Sequence, residues 1–216
     1  MSAASHGTVG SVPAAATDAK RDPGPAISRW PVPALENLAD DLRARILAVQ
    51  EKAGFVPNVF LTLAHRPDEF RAFFAYHDAL MEKDGGLTKA EREMIVVATS
   101  GANDCLYCVV AHGAILRIYA RNPRVADQVA VNYRKAEITP RQKAMLAFAL
   151  KVATDSAALV DADYDGMRSH GFNDEDLWDI GAIAAFFALS NRMANLISMR
   201  PNDEFYLLGR VPREKK

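Results

Sequence analysis

Apolar residues recur every three or four positions along most of this 216-residue chain. That spacing puts them on one face of an α-helix, whereas a strand would need alternating apolar and polar residues. Helix start signals support the same interpretation. Thr88 precedes Glu91 by three residues, as the hydroxyl and carboxylate of a capping box do. Thr139 precedes Gln142 in the same way, so the pattern predicts an all-α fold of about eight or nine helices.

The helices predicted from this pattern follow one another with short connections. In chain order they cover residues 35–53, a short segment after Pro57, 67–80, 89 to about 100, 105–120, a short segment after Pro123, 140 to at least 152, 161–170, and a long segment from Asn173 to before Pro201. Trp178 begins the last helix, and we expect it in the core.

The N-terminal 27 residues differ from the remainder of the chain. They are dominated by Ala, Ser, Gly and Pro and show no periodicity, so we expect a flexible tail before one domain at 28–212. The tail has neither the basic nor the apolar region of a secretory signal. The expected compartment is the cytoplasm, where thiols stay reduced.

The charge balance excludes one class of partner. Lys and Arg total 26 and Asp and Glu total 27, for a net charge of −1. A protein that binds nucleic acid by neutralising phosphates would be basic. No apolar run approaches the length that a membrane-spanning helix needs, so the expected partners include neither nucleic acid nor a membrane.

Two cysteines, Cys105 and Cys108, are the only thiols in the chain. On a helix that begins near Cys105, Cys108 and then His112 fall on the same face. A free thiol has a pKa of about 8.5, and both a helix N-terminus and a neighbouring imidazole favour its thiolate. Two thiols at this spacing can also close a disulfide after one is oxidised.

Glu93 lies in the preceding predicted helix, 12 residues before Cys105. A tight helical hairpin would bring it onto the face that carries His112, where a carboxylate orients the imidazole or exchanges a proton with it. The parts for peroxide reduction are then present: a nucleophilic thiolate, a resolving thiol and an acid for the leaving oxygen. Zinc is the competing hypothesis, although these three ligands on one helix without a second Cys or His pair are unusual for a structural zinc site.

The spacing Glu-x11-Cys-x2-Cys-x3-His, formed by Glu93, Cys105, Cys108 and His112, resembles the signature of the alkylhydroperoxidase AhpD-like family. That family is grouped with the carboxymuconolactone decarboxylases. The strongest resemblance covers residues 87–116. A broader resemblance to the peroxidase-related subgroup covers about residues 28–209 and includes the string Gly-Phe-Val-Pro-Asn at 54–58.

The resemblance implies an all-α homo-oligomer (a dimer, trimer or hexamer) with the activity of a peroxiredoxin-type peroxidase. Such a protein reduces alkyl hydroperoxides through a disulfide cycle, is regenerated by an external dithiol, and needs no organic cofactor or metal. By analogy Cys108 attacks, Cys105 resolves, and Glu93 with His112 relays protons. The best-known AhpD has His between the cysteines where this chain has Tyr107, which removes one member of the relay.

Several alternatives stay open at this point. The helix dipole taken alone favours Cys105 as the more acidic thiol, whereas proximity to His112 favours Cys108, the assignment we prefer. The same scaffold could carry a decarboxylase or lactone-processing enzyme that uses His112 and Glu93 as acid and base. A third hypothesis is a redox-sensing or zinc-binding module without turnover.

We expect His77 to be a packed or surface residue and Asn191 to cap a helix or line the pocket.

Overall fold

The computed structural model describes residues 26–210, and this part of the chain is all-α as predicted. It contains short 3-10 turns at Leu35–Asn37, Tyr133–Lys135 and Ser156–Ala158. The α-helices of the described part are α1 (Asp40–Ala53), α2 (Asn58–Leu63), α3 (Pro67–Met81), α4 (Lys89–Ala102), α5 (Leu106–Ala120), α6 (Val125–Asn132), α7 (Pro140–Asp155), α8 (Asp161–Ser169), α9 (Asp174–Leu196) and α10 (Glu204–Leu207).

The predicted start signals lie at the helix N-termini. The Thr88 hydroxyl accepts a hydrogen bond from the Glu91 backbone N–H, and the Glu91 carboxylate accepts one from the Thr88 N–H. Thr139 caps α7 with the same reciprocal pair of bonds, and Asn173 caps α9. These caps satisfy backbone donors that a helix N-terminus would otherwise leave unpaired.

The structure corrects three details of the sequence prediction. The segment 35–53 is not one helix, because the chain is extended at Leu38 and Ala39 between the 3-10 turn and α1. Cys105 is the N-cap of α5 rather than a residue of its first turn. Trp178 is not in the core, since 73% of its surface is exposed. The short helix α10 was not predicted.

Helix α4 runs through the centre of the domain. Its residues from Glu91 to Ser100 are all buried, and it contacts α5, α6, α7 and α9. A helix surrounded in this way carries its polar side chains into the interior, where each needs a partner. Glu93 is one of these side chains.

The buried apolar residues form three clusters. The largest surrounds α4, α7 and α9, and another joins α1, α2 and α3. The third contains Cys105 and Cys108 and packs them against Ala194, Met199 and Phe205, near the C-terminal end of the described chain. The thiol pair thus belongs to a packed core region.

The predicted tail, residues 1–27, lies outside the described residues except for its last two. In the part of the chain that the structure describes, no helix is both long and apolar enough to cross a membrane.

Candidate active site

The turn between α4 and α5 places the thiols. The N–H of Cys105 donates to the carbonyl of Ser100 at 3.0 Å, and Asp104 has a left-handed backbone with φ of 51°. Asp tolerates this conformation better than most residues do. The turn reverses the chain, so that α5 packs along α4 with Cys105 at its N-cap.

Cys105 and Cys108 are adjacent and reduced. The backbone N–H of Cys108 donates to Cys105 Sγ at 3.4 Å, so Cys105 takes the place that a Ser or Asp side chain usually fills at an N-cap. Each cysteine is only 1% exposed. The pair is therefore held on one face of the first turn of α5, away from bulk water.

The environment shifts the pKa values of the two thiols in opposite directions. The hydrogen bond from Cys108 lowers the pKa of Cys105 and outweighs the opposing effect of burial. The hydrogen bond to Cys105, together with burial, raises the pKa of Cys108. The N-cap position also favours negative charge on Cys105. The first thiolate of the reduced pair is thus favoured at Cys105.

His112 and Glu93 form a buried hydrogen-bonded pair beside the thiols. His112 Nδ1 lies 2.8 Å from Glu93 Oε2, and the side chains are 13% and 6% exposed. An ionised carboxylate accepts hydrogen bonds, so Glu93 selects the tautomer with hydrogen on Nδ1 and leaves Nε2 to accept a proton. The structure brings together all four residues of the sequence motif.

Asn191 of α9 is a site residue whose role the sequence did not establish. It is fully buried, donates from Nδ2 to Ser100 Oγ at 2.9 Å, and accepts from Asn103 Nδ2 at 3.0 Å. Its amide also lowers the pKa of both Cys105 and Cys108. The only signal in the sequence is a polar residue within an otherwise apolar helix.

Tyr107, which lies between the cysteines, has a structural role in this chain. Its hydroxyl accepts the Val59 backbone N–H at 3.2 Å, and its ring packs edge-on against Phe205. Burial raises the pKa of Tyr107 above its usual value, so the phenol stays neutral. The residue anchors α2 to α5.

His77 of α3 lies unexpectedly close to the site. Its ring centroid is 6.5 Å from that of His112, although 35 residues separate the two in sequence. The sequence predicted a packed or surface histidine at this position, and no spacing rule links α3 to α5. Only the tertiary fold shows this proximity.

The described residues contain no group of three or more His, Cys, Asp or Glu side chains arranged to hold a metal ion. The zinc hypothesis therefore gains no support from the positions of Glu93, Cys105, Cys108 and His112.

The chain is similar to several known proteins. A family model described as the carboxymuconolactone decarboxylase family matches residues 67–128, which include the whole motif. The comparison with curated proteins gave no match. Among solved structures, the alkylhydroperoxidase AhpD core of a peroxidase-related protein from Ralstonia eutropha JMP134 is 76% identical. The alignment covers 87% of this chain and 99% of that one, with a TM-score of 0.86.

Two further structures extend the comparison. A peroxidase-related protein from Silicibacter sp. TM1040 is 40% identical over 85% of this chain and 96% of its own, with a TM-score of 0.81. The debrominase Bmp8 is 20% identical over 85% of this chain and 95% of its own, with a TM-score of 0.70, and shows only that the fold is shared.

The fold and the site define a class of all-helical proteins with a Cys-x2-Cys pair at the start of one helix and a Glu–His pair beside it. The chain belongs to the AhpD-like, peroxidase-related group of the carboxymuconolactone decarboxylase superfamily. Its similarity to these proteins supports an alkylhydroperoxidase-like function in general terms.

Proposed function

We propose that the protein is a thiol-dependent alkyl hydroperoxide reductase whose active site is Cys105, Cys108, His112 and Glu93. The observation that carries the proposal is the 2.8 Å hydrogen bond between Glu93 and His112 next to a reduced Cys-x2-Cys pair. A thiol pair alone would fit many roles. A thiol pair with an oriented imidazole has both a nucleophile and a proton carrier.

The proposed cycle consists of an oxidation of the thiols by the hydroperoxide and a reduction of the disulfide by a dithiol. One thiol loses its proton to His112 Nε2, and its thiolate attacks the peroxide oxygen, forming an S–O bond and breaking the O–O bond. The leaving alkoxide takes the proton from His112 and departs as an alcohol. The second thiol then attacks the sulfenic acid, forms the Cys105–Cys108 disulfide and releases water. An external dithiol reduces the disulfide and is itself oxidised.

The two thiols can enter this cycle in either order, and each order has its own physical argument. The lowered pKa of Cys105 favours that residue as the first thiolate. The raised pKa of Cys108 means that this thiol needs a base, and Cys108 lies one helical turn from His112. The second argument agrees with the order that the family resemblance implies.

Two serine variants test the cycle and its order. We expect either Cys108→Ser or Cys105→Ser to abolish sustained hydroperoxide consumption with a dithiol reductant. A sulfenic acid trapped by a dimedone probe in Cys105→Ser identifies Cys108 as the attacking residue, and trapping in Cys108→Ser identifies Cys105. Full activity in both variants would contradict the proposal.

The acid–base alternative uses the same scaffold without thiol chemistry. A decarboxylase or lactone-processing enzyme would employ Glu93 and His112 and leave the thiols incidental. Alkylation of both thiols separates the two functions, because the proposed peroxidase loses its activity and the acid–base enzyme retains its own.

The partners we propose are an alkyl hydroperoxide, an external dithiol and a second copy of the chain. Support for the second copy comes from α9, whose outer face exposes several apolar residues. These are Trp178, Leu189, Met193 and Leu196. An antiparallel pair of α9 helices that sets Trp178 against Leu189 also sets exposed Glu175 near exposed Arg192, so the face complements itself in charge. Leu189→Lys is expected to reduce the molar mass measured by light scattering.

A further inference from the structure

His77 and His112 are two imidazoles that share one aromatic wall. Their ring centroids lie 6.5 Å apart at an interplanar angle of 46°. The ring of Phe187 on α9 is 4.7 Å from that of His112 and 6.4 Å from that of His77. The fold therefore brings α3, α5 and α9 together at this point.

Each imidazole is also bound to a carboxylate through the same ring nitrogen. His77 Nδ1 lies 3.2 Å from Asp78 Oδ1, as His112 Nδ1 lies 2.8 Å from Glu93 Oε2. A carboxylate at Nδ1 keeps hydrogen on that nitrogen and leaves Nε2 for proton exchange. The site thus contains two imidazole–carboxylate pairs side by side.

The two pairs differ in their access to water. The His77 side chain is 25% exposed and that of His112 is 13% exposed, while both cysteines are almost completely buried. His77 is therefore the member of the imidazole pair that is closer to solvent.

The charges around His77 come from four helices. Asp78 is on α3 with it, Glu93 faces it from α4 and His112 from α5, while Arg45 of α1 binds Asp78 at 2.8 Å. Helix α9 contributes only aromatic rings. Burial, and then the charge of His112, lower the pKa of His77 and outweigh the two carboxylates. His77 is thus neutral at neutral pH and can accept a proton.

We propose that His77 is the outer residue of a two-imidazole proton relay that connects water with His112. It acts through His112 and touches neither thiol. The inference rests on the proposed function, because it supplies protons to that same cycle.

The proton transfers in this relay are reversible and move no electrons. When a thiol ionises, His112 takes its proton at Nε2. That proton can move on to Nε2 of His77 and exchange with water, and an equal proton returns along the same route to protonate the leaving alkoxide. When the external dithiol reduces the disulfide, the same route runs inward and returns protons to the thiols. One water molecule can bridge two polar groups that are too far apart for a direct hydrogen bond.

A titration tests the coupling of the two rings without reference to activity. We expect the His77 ring protons, followed by NMR, to titrate below the usual histidine pKa of about 6.5. In His112→Gln the pKa of His77 is expected to rise, because a neighbouring positive charge has been removed. An unchanged midpoint would overturn the proposal, whatever the protein does with hydroperoxides.

Kinetics then test the role in turnover. A positioned proton-transfer group raises a reaction rate roughly 100-fold or more. Because His77 is the outer residue of the relay, we expect a smaller effect, and His77→Ala should lower turnover by about 10-fold. Added imidazole should restore part of that loss, and His77→Gln, which keeps the side chain's bulk, should remain slow. His65→Ala is the matched control, since His65 contacts only the Thr62 carbonyl among its hydrogen-bond partners in the described chain.

The outcomes separate the two proposals. A wild-type protein that consumes no hydroperoxide contradicts the proposed function, while the NMR titration still decides whether the rings are coupled. A wild-type peroxidase whose His77→Ala variant keeps full turnover, or loses turnover that imidazole does not restore, contradicts the relay. Rescue by imidazole in His77→Ala alone, with no effect on the His65 control, supports it.

Discussion

Arg92 and Glu93 are neighbours on α4, and both are buried, but they enter different kinds of polar cluster. Arg92 is 1% exposed, and its terminal nitrogens donate to the Leu80 carbonyl at 2.8 Å and to Asp179 at 3.1 Å. Lys83 donates to the second oxygen of Asp179 at 2.8 Å. The cluster therefore joins α4 and the loop before it to α9.

Glu93, one residue further on, is bound instead to the imidazole of His112, a type of side chain that proteins use for proton transfer. Beyond His112 lie two thiols whose pKa values have been moved apart. Burial of a charge is common to both clusters and does not by itself indicate function. The difference is that the cluster of Glu93 joins an imidazole and two thiols, which are side chains capable of proton transfer and oxidation.

The largest effect is expected on stability, in the Arg92 cluster. Asp179→Ala leaves Arg92 buried without its counter-ion, and breaking such a pair typically costs about 3–5 kcal/mol. Urea denaturation measures the change. Asp174→Ala is the control, because its ion pair with Arg168 is exposed and should be worth about 1 kcal/mol or less. Equal losses in the two variants would mean that burial does not set the strength of these pairs.

The next effect is on activity, in the Glu93 cluster. Glu93→Gln keeps the shape of the side chain but replaces the carboxylate at His112 Nδ1 with a neutral amide. We expect hydroperoxide turnover to fall by about 100-fold, within the usual range for acid–base groups, with a smaller change in stability than Asp179→Ala causes. Glu82→Gln is the control, because the ion pair of Glu82 with Lys89 is exposed. A Glu93→Gln protein that turns over normally would remove the distinction between the clusters.

The motif itself shows how far the sequence could predict this site. Glu93, Cys105, Cys108 and His112 are predictable because helical spacing and capping signals place them, and these are local properties. The proximity of His77 to His112 depends on how α3 packs against α5, which no local pattern encodes. The exposure of Trp178 escaped prediction for the same reason, since an apolar residue on an amphipathic helix can face a partner as well as the core.

The smallest expected effect is on the ionisation of the thiols. Because the amide of Asn191 lowers the pKa of Cys105, Asn191→Ala should move the thiolate titration to higher pH. In the wild type the hydrogen bond from Cys108 is expected to keep that titration at a lower pH than for an isolated thiol. The ultraviolet absorbance of the thiolate, recorded against pH, measures the titration of the wild type and its shift in the variant. Asn195→Ala is the control, as Asn195 bonds only the Asn103 carbonyl nearby, and an equal shift there would show that Asn191 has no specific role.

The proposed peroxidase reaction depends on a disulfide cycle between Cys105 and Cys108. It is tested by counting free thiols while one equivalent of an alkyl hydroperoxide is consumed. We expect two titratable thiols per denatured chain before the reaction, none after it, and recovery of both with a dithiol. Hydroperoxide consumed with both thiols still titratable would contradict it.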